Sequence, residues 1–174
     1  YRAKEVSGSS WEINSPKLAH QAQSRLQVES GLLEGIANND LVLHFQPIVD
    51  AATGLTVGAE ALVRWNHPQR GLLLPGEFVP IAERTDLIVM LGEKVIYDAC
   101  AELRRWQDLG FSSQTIAVNV AARHFGRDLV STVTAALRHT GANPQNLVIE
   151  LTESTIVDNI GAVAATLEEL REMG

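Results

Sequence analysis

The sequence predicts an α/β fold built from parallel βαβ units and entered through an antiparallel strand pair. Three observations lead there. Two strand-like runs between Leu41 and Trp65 flank a turn-forming stretch, Asp50 to Gly54, as in a hairpin. From Leu55 onward the order of patterns is strand, helix, strand, helix, strand, helix, which argues for parallel βαβ connections. Hydrophobic residues make up 45% and charged residues 20% of the 174 residues, a composition able to build a core rather than stay disordered.

Residues 1–16 are polar, hold Gly8 among Ser7, Ser9 and Ser10, and end at Pro16, which reads as a linker or the tail of a preceding domain. A connecting helix is expected over 17–40, because Leu18, Ala22, Leu26, Leu33 and Ile36 recur at helical spacing and Asn38-Asn39-Asp40 supplies the stop. In Leu41 to Val49, Leu41, Leu43 and Phe45 alternate with Val42, His44 and Gln46, a strand in which Pro47 marks an edge, a bulge or the end. Leu55 to Trp65 is the second strand. The Gly- and Pro-containing stretch Asn66 to Pro75 reads as a loop, followed by a short helix near Glu77 to Glu83. A long helix, Leu87 to Leu109, carries Ile88, Leu91, Val95, Ala99, Leu103 and Trp106 on one face and meets Gly110 where a glycine commonly ends a helix. Thr115 to Val120 is a strand, Arg127 to His139 a helix closed by Gly141, Leu147 to Leu151 a strand, and Asn159 to Met173 a last amphipathic helix.

The balance of 14 Lys and Arg against 21 Asp and Glu gives a formal charge of −7. A chain with a pI near 5.2 is a poor candidate for gripping a DNA or RNA polymer, although a few local arginines suffice for a small anion. One cysteine, Cys100, excludes an internal disulfide framework and a cysteine-rich zinc site. No apolar run approaches the roughly 18 residues of a membrane span, and the polar start has no signal-peptide core. A cytoplasmic segment without membrane contact is expected, within a parent that an upstream segment could anchor. Because the first residue is not Met, the chain is expected to be a piece of a longer one; it is also short for a closed eight-fold barrel of about 250 residues.

Functional groups in βα barrels and open α/β sheets gather at the carboxyl ends of the strands. There the second strand places Glu60, Leu62 and Arg64 on one face, the third ends with Asn119, and the fourth carries Glu150 with Glu153 beyond it. Two carboxylates and a carboxamide form an all-oxygen set of the kind hard cations such as Mg²⁺ or Mn²⁺ prefer. Plainer readings stand beside it: Glu150, costly to bury alone, could pair with Arg64, and Asn119 could be a turn former. Gly58, Ala59 and Ala61 leave room beside Glu60. His44 shares the Gln46 face, whereas His67, His124 and His139 lack metal-ligand spacing and Cys100 reads as a small apolar residue.

The string Gly58-Ala59-Glu60-Ala61-Leu62-Val63-Arg64-Trp65 resembles the signature of the EAL domain, the bacterial cyclic-di-GMP phosphodiesterase. Leu43 to Val49 resembles that family's first strand, Pro75 to Glu83 its first helix region, Val118-Asn119-Val120 its Asn-bearing strand, and Ile149 to Ser154 its Glu-x-Thr-Glu strand. Tyr1 to Lys4 resembles the closing helix of a GGDEF diguanylate cyclase domain, so that 1–16 would be the end of that domain and 41–174 the N-terminal half of an EAL domain. The resemblance implies a TIM-like (β/α) barrel with an antiparallel first strand, only its N-terminal half being present. It implies Glu60, Asn119 and Glu150 as ligands of Mg²⁺ or Mn²⁺, with Ca²⁺ inhibitory. It gives Gln46, Leu62 and Arg64 as contacts to cyclic di-GMP, Glu153 as a glutamate steadying the following loop, and a homodimer formed by the complete domain. The reaction implied is hydrolysis of one phosphodiester bond to the linear dinucleotide.

The family continues, after the helix that ends here, into an Asp-Asp-Phe-Gly segment and later a Lys and a Glu, none of which lies in the 174 residues. The fragment alone is therefore expected to hydrolyse little. Three other readings compete: a catalytically silent cyclic-di-GMP receptor, a purely regulatory or oligomerisation module, and, distantly, a glycosidase using Glu60 and Glu150 as its carboxylate pair.

Overall fold

In the computed structural model, residues 2–3, 11–12, 16–125, 129–151 and 160–174 are described. A two-residue ribbon, β1 (Arg2–Ala3) against β2 (Trp11–Glu12), precedes the long helix α1 (Pro16–Ala37). Arg2 and Ala3 are thus in a strand rather than in the closing helix that their resemblance implied. The main sheet follows with β3 (Leu41–Val49), β4 (Thr56–His67) and β5 (Gly71–Leu73), then helices α2 (Pro75–Ala82) and α3 (Leu87–Asp108). Strand β6 (Thr115–Val120), helices α4 (Ala122–Phe125) and α5 (Leu129–Thr140), a 3₁₀ turn over Pro144–Asn146, strand β7 (Leu147–Leu151) and helix α6 (Ile160–Glu172) complete the order.

The strands run β3-β4-β6-β7, with β5 folded back onto the end of β4. β3 and β4 are antiparallel, and β4–β6 and β6–β7 are parallel, each parallel step being bridged by helices. This is the sheet order expected of a barrel's first half entered through an antiparallel strand. Pro47 does not end β3; the strand continues to Val49 along the outer side of the described sheet, with its irregularity between Ile48 and Val49.

Alternation assigns the two faces. Ala59, Ala61 and Trp65 of β4 and Ile116, Val118 and Val120 of β6 point to one side and are buried beneath α1, α2 and α3. Leu32 of α1 belongs to the same core, so the connecting helix packs as part of the barrel wall. The other face is concave and open: Val148 retains 40% of its surface and Ile48 38%, and Gln46, His44 and Asn119 are exposed.

The loop expected over Asn66 to Pro75 contains β5. Its three residues pair with Trp65, Asn66 and His67 after a tight turn in which Gly71 adopts φ 72°. The helix expected over Arg127 to His139 is present from Leu129 to Thr140, Arg127 and Asp128 lying outside the described residues, and the single turn α4 before it was not anticipated. Gly110 (φ 91°) and Gly141 (φ 71°) close α3 and α5 in the left-handed conformation that the sequence led one to expect. Among the described residues no helix is long and apolar enough to cross a membrane.

Candidate metal and phosphodiester site

Glu60 enters the open face because β4 must bury Ala59 and Ala61 on the other. Those two alanines therefore do not make room beside Glu60, as the sequence implied; they lie in the core behind it. Asn119 reaches the same face for the matching reason, its neighbours Val118 and Val120 being 0% and 2% exposed. The parallel register sets Glu60 opposite Ala117, so Asn119 stands two residues, one side-chain step, further along. From there its Nδ2 donates a 2.7 Å hydrogen bond to Glu60 Oε1. Asn119 and Glu150 are direct partners across β6 and β7. Gln46 is the partner of Glu60 across β3 and β4, and His44 that of Leu62.

Six of the seven residues singled out in the sequence thus occupy one face, on four strands: Gln46, Glu60, Leu62, Arg64, Asn119 and Glu150. Glu153 lies outside the described residues. Arg64 does not pair with Glu150 among the described residues; its Nη1 donates to the Val63 carbonyl at 2.9 Å, which leaves most of the guanidinium fork for an anion. Asn119 is no turn former, since it sits within β6 and spends its amide on Glu60. The oxygen set fits a hard divalent cation in its donors, two half-buried carboxylates and a carboxamide hydrogen-bonded to one of them. Among the described residues no group of three His, Cys, Asp or Glu side chains is close enough to form a metal site of that kind. A cavity of about 260 Å³ lies between β4, β6 and helices α2 and α3, reached by Leu62 and Asn119 from this face and by Ala61, Val120, Ile88 and Leu91 from the core side.

The remaining conspicuous residues are structural. Cys100 is buried in α3, and burial pushes its thiol up to about 12, far from nucleophilic use. Arg105 is ion-paired with Glu102, and Arg104 with Asp108. His124 is the exception to its ordinary appearance. It sits on α4, which follows β6 and packs against α3, is fully buried, and among the described residues neither ring nitrogen has a hydrogen-bond partner. The Gly92 notch in α3 admits it: a Cβ there would lie 2.5 Å from His124 Nδ1. One turn of helix gives no periodicity, so nothing in the sequence marked this burial.

Burial holds the His124 pKa below its ordinary 6.5. The unfolded chain therefore takes up the proton more readily, and stability rises with pH. The contribution is complete above the ordinary value and is lost as pH falls through the depressed folded one. Urea unfolding of the wild type is expected to lose midpoint between about pH 7.5 and 5.5, and His124→Leu to flatten that dependence. Parallel pH dependences in the two proteins would refute this.

A family model described as the EAL domain matches residues 29–174. Among curated relatives, the bifunctional diguanylate cyclase/cyclic di-GMP phosphodiesterase MucR of Pseudomonas aeruginosa is 41% identical over 175 residues, covering 100% of this chain and 26% of MucR. The chain therefore spans about a quarter of that relative's length. A solved structure of the MucR phosphodiesterase in complex with c-di-GMP superposes with a TM-score of 0.81 at 44% identity, over 85% of this chain and 60% of that one. The EAL enzyme Bd1971, in a form bound to cAMP and cyclic di-GMP, superposes with a TM-score of 0.81 at 28% identity, over 88% of this chain and 43% of its own.

Proposed function

This chain belongs to the EAL domain family, and from that premise we propose that it supplies the metal-binding and phosphodiester-binding half of a cyclic-di-GMP phosphodiesterase site. The observation that carries the reading is the juxtaposition of Glu60, Asn119 and Glu150 through one short hydrogen bond and one register pair. Glu60, Asn119 and Glu150 would hold Mg²⁺ or Mn²⁺, which when bound supplies Lewis-acid polarisation of a phosphodiester oxygen and a source of nucleophilic water.

The residues themselves do the following. Asn119 fixes the Glu60 carboxylate by donating to one of its oxygens, leaving the other free to act as a ligand. Arg64 offers parallel N–H donors to the non-bridging oxygens of one phosphate. Gln46, across from Glu60, presents an amide to the same end of the dinucleotide, and Leu62 gives it an apolar wall. Hydrolysis breaks one phosphorus–oxygen ester bond, a water oxygen replacing the ribose oxygen, and yields the linear dinucleotide. The acidic face makes cations necessary to hold an anionic ligand.

The test is calorimetric titration of the full native polypeptide with cyclic di-GMP, Ca²⁺ replacing Mg²⁺ to suppress turnover. Binding is expected, and Arg64→Ala should weaken it about tenfold to a hundredfold, the equivalent of one or two charge-assisted hydrogen bonds. An absence of binding to the wild type would overturn the reading. Binding without linear product when Mg²⁺ is restored would favour a silent receptor instead.

A further inference from the structure

The residue after Arg64 faces the opposite way and is completely enclosed. Trp65 is 0% exposed, and three elements close on its indole. Phe78 of α2 meets it edge-on, with ring centroids 5.7 Å apart and planes at 80°. His67, at the end of β4, lies 4.8 Å away centroid to centroid. The third element is α1, through Gly31 and Gly35. Four residues apart, these share one helix face. A Cβ at Gly35 would lie 2.6 Å from Trp65 Nε1 and 3.1 Å from Cε2, and one at Gly31 would lie 3.3 Å from Cη2. Both glycines are helical, so space rather than backbone conformation is what a side chain would violate.

Among the described residues the indole Nε1 has no hydrogen-bond acceptor. Shape alone therefore fixes the ring, and its position follows that of α1. The Asn66 N–H donates to the Asp40 carbonyl at 2.8 Å, tying the turn after α1 to the same end of β4. On the other face, Arg64 is held within the described residues only by the adjacent Val63 carbonyl, so the backbone of 63–65 sets its direction. Beside the contact lies a cleft of about 470 Å³ between α1 and the β4–β5 turn, walled by Gly35, Asn38, Trp65, His67 and Arg70.

We propose that Trp65 is a positioning residue for Arg64, and that α1, seated on the indole through Gly31 and Gly35, sets the affinity of the concave face for cyclic di-GMP. The proposal rests on the functional reading above and adds to it a route by which movement of α1 reaches the phosphate-binding arginine.

The test is a double-mutant cycle in the full native polypeptide. Gly35→Ala should raise KM for cyclic di-GMP about fivefold or more while kcat changes less than about twofold. Trp65→Phe, which keeps an apolar ring but leaves a gap at Gly35, should do the same. Gly35→Ala combined with Trp65→Phe, in which the new methyl fills that gap, should return KM to within about twofold of wild type. Val133→Ala, a core truncation on α5, should lower the melting temperature and leave KM unmoved. If Gly35→Ala does not fold, Trp65→Phe alone reads the same quantity. An unchanged KM in the folded single variants, with wild type binding the nucleotide, overturns this proposal alone. A wild type that binds no cyclic di-GMP overturns the functional reading and this proposal with it.

Discussion

Replacing Glu60 by glutamine is expected to lower kcat for cyclic-di-GMP hydrolysis by about 10²–10³, with the melting temperature almost unchanged. The two expectations separate because the substitution separates charge from shape. Glutamine can still accept the 2.7 Å hydrogen bond that Asn119 Nδ2 donates to Oε1, so the β4–β6 contact survives. What disappears is the negative charge that would hold a divalent cation, on a face already partly shielded from water. Electrostatic contacts to charge at a reacting centre are worth about 3–4 kcal/mol each, and 1.36 kcal/mol is a factor of ten in rate. Activity should return only in part at high Mg²⁺, because occupancy is restored but the missing ligand is not. The checks are product formation against Mg²⁺ concentration and a thermal melt on the same preparations. A Glu60→Gln protein with wild-type turnover would remove Glu60 from the metal site.

The site was legible because strand alternation and motif order are local. Leu147 to Leu151 and Thr115 to Val120 declare their buried faces by their aliphatic residues, so the faces of Asn119 and Glu150 follow from counting by twos. The bond between Asn119 and Glu60 was not legible, because it depends on the register of two strands separated by two helices. Glu60 pairs with Ala117, and only that offset brings Asn119 within reach on the diagonal. The role of Ala59 and Ala61 was misread for a related reason: small residues flanking a glutamate look like space, but alternation turns them into the core. β5 and α4 were missed because three or four residues carry no period. β5 exists because Gly71 turns the chain back onto β4, with Arg70 paired to Glu77 at 3.0 Å just beyond the turn. The seat of Trp65 left a readable trace in the Gly31 and Gly35 spacing, but what packs there is a tertiary fact.

Gly58→Ala is expected to cost about 2–3 kcal/mol of stability and to impair catalysis in whatever protein remains folded. Gly58 pairs with Thr115 where the parallel ladder between β4 and β6 begins. A Cβ there would lie 2.5 Å from the Thr115 carbonyl oxygen and closer still to Thr115 Oγ1. The side-chain hydroxyl could rotate away, but the carbonyl belongs to the backbone of β6, so the strands themselves must part. Glu60 is two residues on, and its bond to Asn119 spans the same pair of strands. A displacement of about 1 Å in a reacting group can cost about a hundredfold in rate, so kcat should fall about tenfold to a hundredfold even at temperatures where Gly58→Ala is folded. Gly76→Ala is the matched comparison. Gly76 lies in α2, a Cβ there meets nothing within 4 Å, and alanine suits a helix better than glycine. That substitution should be neutral or stabilising by up to about 1 kcal/mol, with kinetics unchanged. Urea midpoints and kcat for the two variants decide the matter. If Gly58→Ala behaves like Gly76→Ala, the close approach of β4 and β6 does not hold Glu60 against Asn119, and the geometry of the oxygen set must be maintained from β7 instead.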